Sequence, residues 1–547
     1  MIRIGNLVTI FLTLLTIIIE SEARGKQWVC PPSNPVCICN KRYGFFYTAD
    51  CHKKQLRSIP KFEQIFQKLR FSQNILLNLN NKTFVNIRSW PITELFIDKC
   101  NIKTVMDDTF KDLQLDFIDF SENRDINITQ LANCFQNLNL TGLDLSGILL
   151  DSSTVVNFFN TKASSSLTFL RLASCKLTSL DKSMFKHLQN LKDIDLSKNN
   201  LRFIDLLTLP PVNSLTIRDI GLSELPHFNN SRTTHLRHLD VGYNRINNIS
   251  TFMEYGYLFE SLESLFIDSN PLKELPLETF SRLKSLQNLS MCKVITSLLN
   301  FVGIKSMSIT NLNISYNTLK PTYAMQYFNQ SRNLTSLTME HTSLSKWSGE
   351  DIFNLFSPLD DNLVDLKMME TYFQSIPSKA LRCFKKLEVL NLSSNNISGW
   401  NSDENPFENV TVRIRLLIKS NLIQIINETS FPRSYMFSNT PRFLDFHGNP
   451  FSCTCKAHWF RNWMRDNYYR LGGPFGNNIL CKSPDKMKDI LFTHYDPSYE
   501  DCNGMSLGEI VGLTLCCVCI IAITFLTYFV NSFCKRYKDR HAYKVIK

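Results

Sequence analysis

One phrase recurs through this chain and limits what it can become. The pattern LxxLxLxxN is written as FQKLRFSQN (66–74), LKDIDLSKN (191–199), LRHLDVGYN (236–244), LESLFIDSN (262–270) and LEVLNLSSN (387–395), with weaker copies between them. Its second apolar position falls at 69, 95, 118, 143, 170, 194, 215, 239, 265, 289, 312, 337, 366, 390, 416 and 444, a mean period of 25 residues within a range of 21 to 29. A unit of that size cannot bury its apolar face alone, so copies must stack and share one continuous core. The LxL alternation gives each copy a short strand with its leucines inward and the intervening residues outward.

The period lies in the window of leucine-rich repeats. The expected fold is α/β: a leucine-rich-repeat solenoid, a curved horseshoe with a parallel sheet on its concave face, plus one transmembrane helix. The final Asn of each copy sits at the bend after the strand, where its amide bonds neighbouring backbone. Nine of the sixteen copies have Asn, and Cys100, Cys175, Thr342 and Thr371 offer another hydrogen-bonding group. Ile148, Ile220 and Val294 offer none, which predicts local irregularity there. Phe110 and Phe280, between strands, are expected to fill the side opposite the sheet.

The two termini read as membrane signals. Residues 1–23 have the form of a secretory signal: Arg3, an apolar core from Leu7 to Ile19, and Ser21-Glu22-Ala23 at the cleavage position. Ile510 to Val530 is an uncharged run of 21 residues, long enough as a helix to cross a hydrocarbon core. Residues 531–547 carry six basic side chains and one acid, which marks the cytoplasmic side. The chain is read as single-pass type I in the plasma membrane, with endosomal membrane as the other location. Of the net charge of +11, the tail supplies +5, and the exported part is mildly basic. No basic run interleaved with aromatics suggests a nucleic-acid site.

Seventeen cysteines include two groups of four, Cys30, Cys37, Cys39 and Cys51 early, and Cys453, Cys455, Cys481 and Cys502 late. They bracket the repeats at the two ends, where a solenoid exposes its core and needs caps. Exported chains make such caps with disulfides. Spacing alone leaves three connectivities per group, and a CxC with two distant cysteines is also a zinc pattern. CPPSNPVCICNKRYGFFYTADC before LRSIP resembles the N-terminal cap of extracellular leucine-rich-repeat proteins. NPFSCTCKAHWFRNWM resembles their C-terminal cap. That resemblance implies the pairs Cys30–Cys39, Cys37–Cys51, Cys453–Cys481 and Cys455–Cys502. Trp459 and Trp463, four apart on an expected helix, are read as a plug for the last repeat. Cys100, Cys134, Cys175, Cys292 and Cys383 remain, an odd exported total. The expected organisation is a signal peptide (1–23), N-terminal cap (24–60), repeats (61–450), C-terminal cap (451–503), stalk (504–509), membrane helix (510–530) and tail (531–547).

Signal, capped array of about sixteen repeats, single span and basic juxtamembrane segment together resemble the Toll-like receptor family. RYKDRHAYKVIK resembles the linker that leads such receptors into a cytoplasmic Toll/interleukin receptor domain, but 17 residues after Val530 cannot form one. The resemblance implies a receptor or co-receptor in innate immune signalling that binds an extracellular protein, lipid or glycoconjugate. Such a chain would act as a homodimer or a heterodimer with a signalling receptor, or as a decoy. The other reading is an adhesion or guidance protein of the leucine-rich-repeat class. No nucleophile elbow, P-loop or paired-carboxylate motif is written in the sequence, so neither an enzyme nor a cofactor is expected.

Thirteen N-x-S/T sequons bear on where binding occurs: Asn81, Asn127, Asn139, Asn229, Asn248, Asn288, Asn313, Asn329, Asn333, Asn391, Asn396, Asn409 and Asn427. Asn313 and Asn391 fall between the two apolar residues of LxL and so point out of the sheet, and Asn288 falls just before one. No sequon occupies a strand position from Phe96 to Phe266, so the open sheet face is expected in the N-terminal half. Outward positions there include Asp119, Asp144, Arg171, Asp195 and Asp240, a column suited to a basic partner and equally to plain solvation. Gly508, just before the apolar run, and Gly512 and Cys516 within it lie four apart and form a small-residue ridge for helix contact. Cys534, just inside the membrane, is a candidate for lipidation.

Overall fold

A computed structural model describes residues 27–30, 36–42, 45–135, 138–159, 162–226, 235–295, 300–301, 303–400, 405–407, 414–431, 443–467, 479–496 and 507–542. The expected signal peptide, the sequons at Asn229 and Asn409, and Cys502 lie outside these residues. The chain forms two compact units, residues 1–371 with 383–387, and 372–382 with 388–547.

In the first unit every expected strand is present. Thirteen three-residue strands, from Lys68–Arg70 to Asp365–Lys367, are centred on Leu69, Leu95, Ile118, Leu143, Leu170, Ile194, Leu215, Leu239, Leu265, Leu289, Leu312, Leu337 and Leu366. Successive centres pair in parallel, as Leu143 with Leu170 and Leu170 with Ile194. All thirteen centres are buried, each worth roughly 1.5–3 kcal/mol of apolar burial. The N-terminal cap joins the same sheet. Gln27–Cys30, Cys37–Arg42 and Phe45–Asp50 form an antiparallel set whose Ala49 pairs in parallel with Leu69. Cys30–Cys39 and Cys37–Cys51 are disulfide-bonded, as the cap resemblance implied.

The return side carries 3₁₀ turns and short helices, among them Ile128–Phe135, Ser152–Phe159 and Gly349–Phe356. Phe110 and Phe280 are buried there as expected. Phe110 touches Phe84, Phe120 and Phe135, with ring centroids 5.6, 5.9 and 6.1 Å apart.

The asparagine ladder closes each bend. Asn199 Nδ2 donates to the carbonyls of Leu172 and Leu196, both at 2.7 Å, while its Oδ1 accepts from the amides of Cys175 and Leu177, both at 3.0 Å. Cys100 and Cys175 make the donor half of that arrangement, each Sγ lying 3.3 Å from a carbonyl of the preceding repeat. Burial pushes both thiols up to about 12, so they stay protonated and donate. Ile148, Ile220 and Val294 do not interrupt the sheet: Leu143, Leu215 and Leu289 pair in register with the next strand. Their apolar side chains are buried in the core instead. The residue before the ladder position is left-handed in every copy, whatever its side chain. Lys99, Tyr243, Tyr316 and Glu370 have φ of 53°, 55°, 59° and 53°. This turn aims those side chains outward along one edge of the sheet.

The second unit holds Val389–Asn391, Arg415–Leu417 and Phe443–Asp445, paired in parallel through Leu390, Leu416 and Leu444. The helix His458–Asp466 caps it. Trp459 Nε1 donates to the Ile426 carbonyl at 2.8 Å, and Phe446, Phe451, Phe460 and Phe492 pack together beneath. Cys453 is bonded to Cys481, and Cys455 is also in a disulfide. Cys100, Cys134, Cys175, Cys292 and Cys383 form none. The apolar run lies in one helix, Leu507–Ala542, which extends beyond the expected 510–530 into the basic tail. Gly508, Gly512, Cys516 and Cys534 are exposed on it.

Candidate ligand-binding face

Two outward columns run across the first sheet, and register fixes their order. One passes through Phe96, Asp119, Asp144, Arg171, Asp195, Thr216 and Asp240. The other passes through Glu94, Phe117, Gly142, Phe169 and Asp193. Asp119, Asp144, Arg171 and Asp195 therefore stand on four adjacent strands. Asp240 stands apart beyond Thr216, where Arg218 Nη1 meets its Oδ2 at 2.8 Å.

Each aspartate of the column has a backbone task. Oδ1 of Asp119, Asp144 and Asp195 accepts the amide of the serine two residues on, at 2.9 Å in all three cases. Asn313 in the first unit and Asn391 in the second make the same contact to Ser315 and Ser393. Acid and amide thus close the same side-chain turn. Asp144 is buried, whereas Asp119 and Asp195 are half-buried. Arg171 lies 3.5 Å from Asp144. Asp119 has a different setting: burial, with Asp144 and Asp98 nearby, pushes its carboxyl up to about 6 against the pull of the Ser121 hydrogen bonds.

Beside the acids lies an aromatic platform. Phe96, Phe117 and Phe169 are half-buried on the outward face. Phe96 and Phe117 have ring centroids 5.2 Å apart, Phe117 and Phe169 6.2 Å. Phe117 and Phe169 belong to strands separated by a third, and Gly142 on that strand lets them meet. A Cβ at Gly142 would stand 2.7 Å from Phe117 Cδ2 and 3.5 Å from Phe169 Cδ1. Cations close both ends of the platform. Lys68 Nζ is 4.5 Å from the Phe96 centroid and 2.7 Å from Glu94 Oε2, and the Arg171 guanidinium is 4.8 Å from the Phe169 centroid. Three half-buried rings in contact, flanked by carboxylates, make an apolar strip with a polar rim on the outward face. The sequence carries the signal in ELF, FID, GLD and FLR, where aromatics and a glycine replace the usual polar residues around the strand centre.

The sequon asparagines within the described residues are exposed or half-buried, and Asn288, Asn313 and Asn391 are the half-buried ones, on strands. The strand positions from Phe96 to Phe266 hold no sequon.

Comparison with known proteins gives consistent relatives. The leucine-rich-repeat family pattern matches residues 165–218 and again 386–406. CD180 antigen of Mus musculus is 23% identical over 520 residues, covering 87% of this chain and 66% of its own. Toll-like receptor 4 of Bos taurus is 23% identical over 380 residues, 66% of this chain and 38% of its own. The chain thus spans less than two thirds of either. A crystal structure of a TLR13–ssRNA13 complex superposes with a TM-score of 0.51 at 18% identity, over 82% of this chain and 77% of that one, a likeness of fold.

Proposed function

We propose that this leucine-rich-repeat chain of the Toll-like receptor kind is a membrane-anchored receptor or co-receptor that recognises an extracellular ligand. It works with a partner receptor in innate immune signalling. The helix Leu507–Ala542 anchors it, with the repeats outside the plasma membrane. The Phe96–Phe117–Phe169 platform carries this reading. Clustered aromatic rings on an outward face, rimmed by polar groups, are typical anchors of binding interfaces. The adjoining carboxylates of Asp119 and Asp195 suit a ligand with basic groups around an apolar contact, and Asn313 and Asn391 keep glycans to the other strands.

The shared turn supplies the test. Asp119→Asn turns Asp-Phe-Ser into a sequon, and Asp144→Asn turns Asp-Leu-Ser into one. Either change places a glycan on the face while preserving the turn. In cells deleted for the chain, the wild type should restore ligand-dependent reporter output. Asp119→Asn should reach the surface with a glycan mobility shift and fail to restore it, whereas Asp119→Ser should largely succeed. Full rescue by the glycosylated variant would remove the face from the proposal. No effect of deletion, with cell clustering on expression, would favour adhesion.

A further inference from the structure

A second surface lies on the helix Leu507–Ala542, which runs without a break through the apolar run and on into the basic tail. Beyond Val530 this helix does not become polar all round. Val530, Phe533, Cys534 and Tyr537 follow the i, i+3, i+4, i+7 spacing of one helix face. With Lys538 they line an open groove whose walls are almost wholly apolar. Val530, Phe533 and Tyr537 are 53%, 73% and 63% exposed. The other side of the helix turns polar at once, at Asn531 and Lys535. The groove face therefore continues the apolar surface two turns past the run, about 10 Å. That is far enough to cross a headgroup layer of about 5–8 Å.

One end of the groove is cationic. Lys538 lines it, and Lys535, three residues earlier, is its neighbour on the helix surface. The residues three and four positions from Lys538 are Lys535, Cys534, His541 and Ala542, so no acid at those positions offsets its charge. Residues 531–547 hold six bases against Asp539 alone. Apolar walls that end in an unbalanced ammonium match a molecule that is apolar along its length and anionic at one end. A second copy of the chain matches them poorly. Copies threaded the same way through a membrane would bring Lys538 against Lys538 as their grooves closed on each other, like charge on like.

We infer that this groove binds an anionic phospholipid of the leaflet that faces the tail. One acyl chain lies along Val530, Phe533 and Tyr537, and the anionic headgroup meets Lys538 and Lys535. The inference rests on the helix crossing a membrane, as in the proposed function, but not on what the repeats recognise. Aromatic side chains favour the membrane–water interface, where Phe533 and Tyr537 then stand. Lysines beside an anionic leaflet are drawn to its surface.

The test places the full chain in phosphatidylcholine nanodiscs that carry a minor share of photoactivatable phosphatidylserine or, in a parallel set, photoactivatable phosphatidylcholine. Crosslinked peptides are then mapped. Phosphatidylserine should label residues 530–538 more than phosphatidylcholine does, on the order of tenfold. Lys538→Gln should lower that preference about fivefold, and Lys538→Arg should keep it. Phe533→Ala with Tyr537→Ala should reduce labelling by both lipids. Equal labelling of residues 530–538 by the two lipids, or a preference unchanged in Lys538→Gln, would overturn the assignment. Crosslinks from these residues to a second copy of the chain in place of lipid would overturn it too. Labelling of residues 511–529, which both lipids should give equally, reports insertion of the helix. A failure at the groove with that labelling intact leaves the membrane anchor and ligand recognition by the repeats standing.

Discussion

Gly142 lies directly beneath Phe117: a Cβ there would approach the ring to 2.7 Å. The glycine is therefore a condition for the aromatic platform, since any side chain would lift Phe117 away from Phe169. Gly142→Ala is expected to cost about 1–3 kcal/mol through overpacking. It should also weaken binding at the platform more than an equally destabilising change on the return side. Thermal unfolding beside a ligand-binding measurement separates the two effects.

Asn199 satisfies four backbone groups from two repeats. Asn199→Ala would leave the Cys175 and Leu177 amides and the Leu172 and Leu196 carbonyls without that partner. Each buried group left unmet costs on the order of 1–3 kcal/mol before relaxation. The first unit should lose several kcal/mol, with faster amide exchange concentrated around Leu172 and Cys175. Asn199→Cys, which restores the donor half as Cys175 does, should recover part of the loss.

Asp119 gives the first unit a defined pH response. Burial pushes its carboxyl up to about 6 in the folded protein, above the ordinary aspartate value. The folded state thus holds this proton more tightly than the unfolded state. Ionised Asp119 costs stability above about pH 6, and that cost disappears as pH falls toward the unfolded value. Asp119→Ser should stabilise the protein at pH 7.5, by on the order of 1–2 kcal/mol, and give no gain at pH 4. A constant difference across that range, measured by chemical denaturation, would contradict the assignment.

The Cys453–Cys481 bridge closes a loop with a sequence separation of 28 residues. Chain-entropy arguments put its contribution at about 3–4 kcal/mol. Replacing both cysteines with Ala should expose the second unit's end, where Phe451 and Phe460 pack, to limited proteolysis. The first unit's cleavage pattern should not change.

The strand centres were legible because the leucine period is imposed by burial, and burial leaves a trace at every copy. Ladder substitutions were legible for the same reason at Cys100 and Cys175. The local irregularity expected at Ile148, Ile220 and Val294 does not reach the strand pairing, because the sheet is held by backbone pairing and the inward core as well as by the ladder. The platform is not legible from the strand pattern, because nothing local says that Phe117 and Phe169 touch across Gly142. Of the acidic column, Asp119, Asp144 and Asp195 stand together as spacing suggested. The pairing of Asp240 with Arg218 was hidden, since it joins residues from different columns of adjacent repeats.

The turn that Asp119, Asp144 and Asp195 share with Asn313 and Asn391 has an implication for how such a surface can change over generations. Aspartate and asparagine codons differ by a single nucleotide, and the serine that completes an acceptor site already follows two residues on at each aspartate. Each of these three positions is one point mutation from carrying a bulky glycan, and the reverse mutation would remove it. The backbone contact tolerates either residue, so the fold imposes little penalty in either direction. Selection could therefore shield or uncover this face one strand at a time, altering what it meets without rebuilding the repeat.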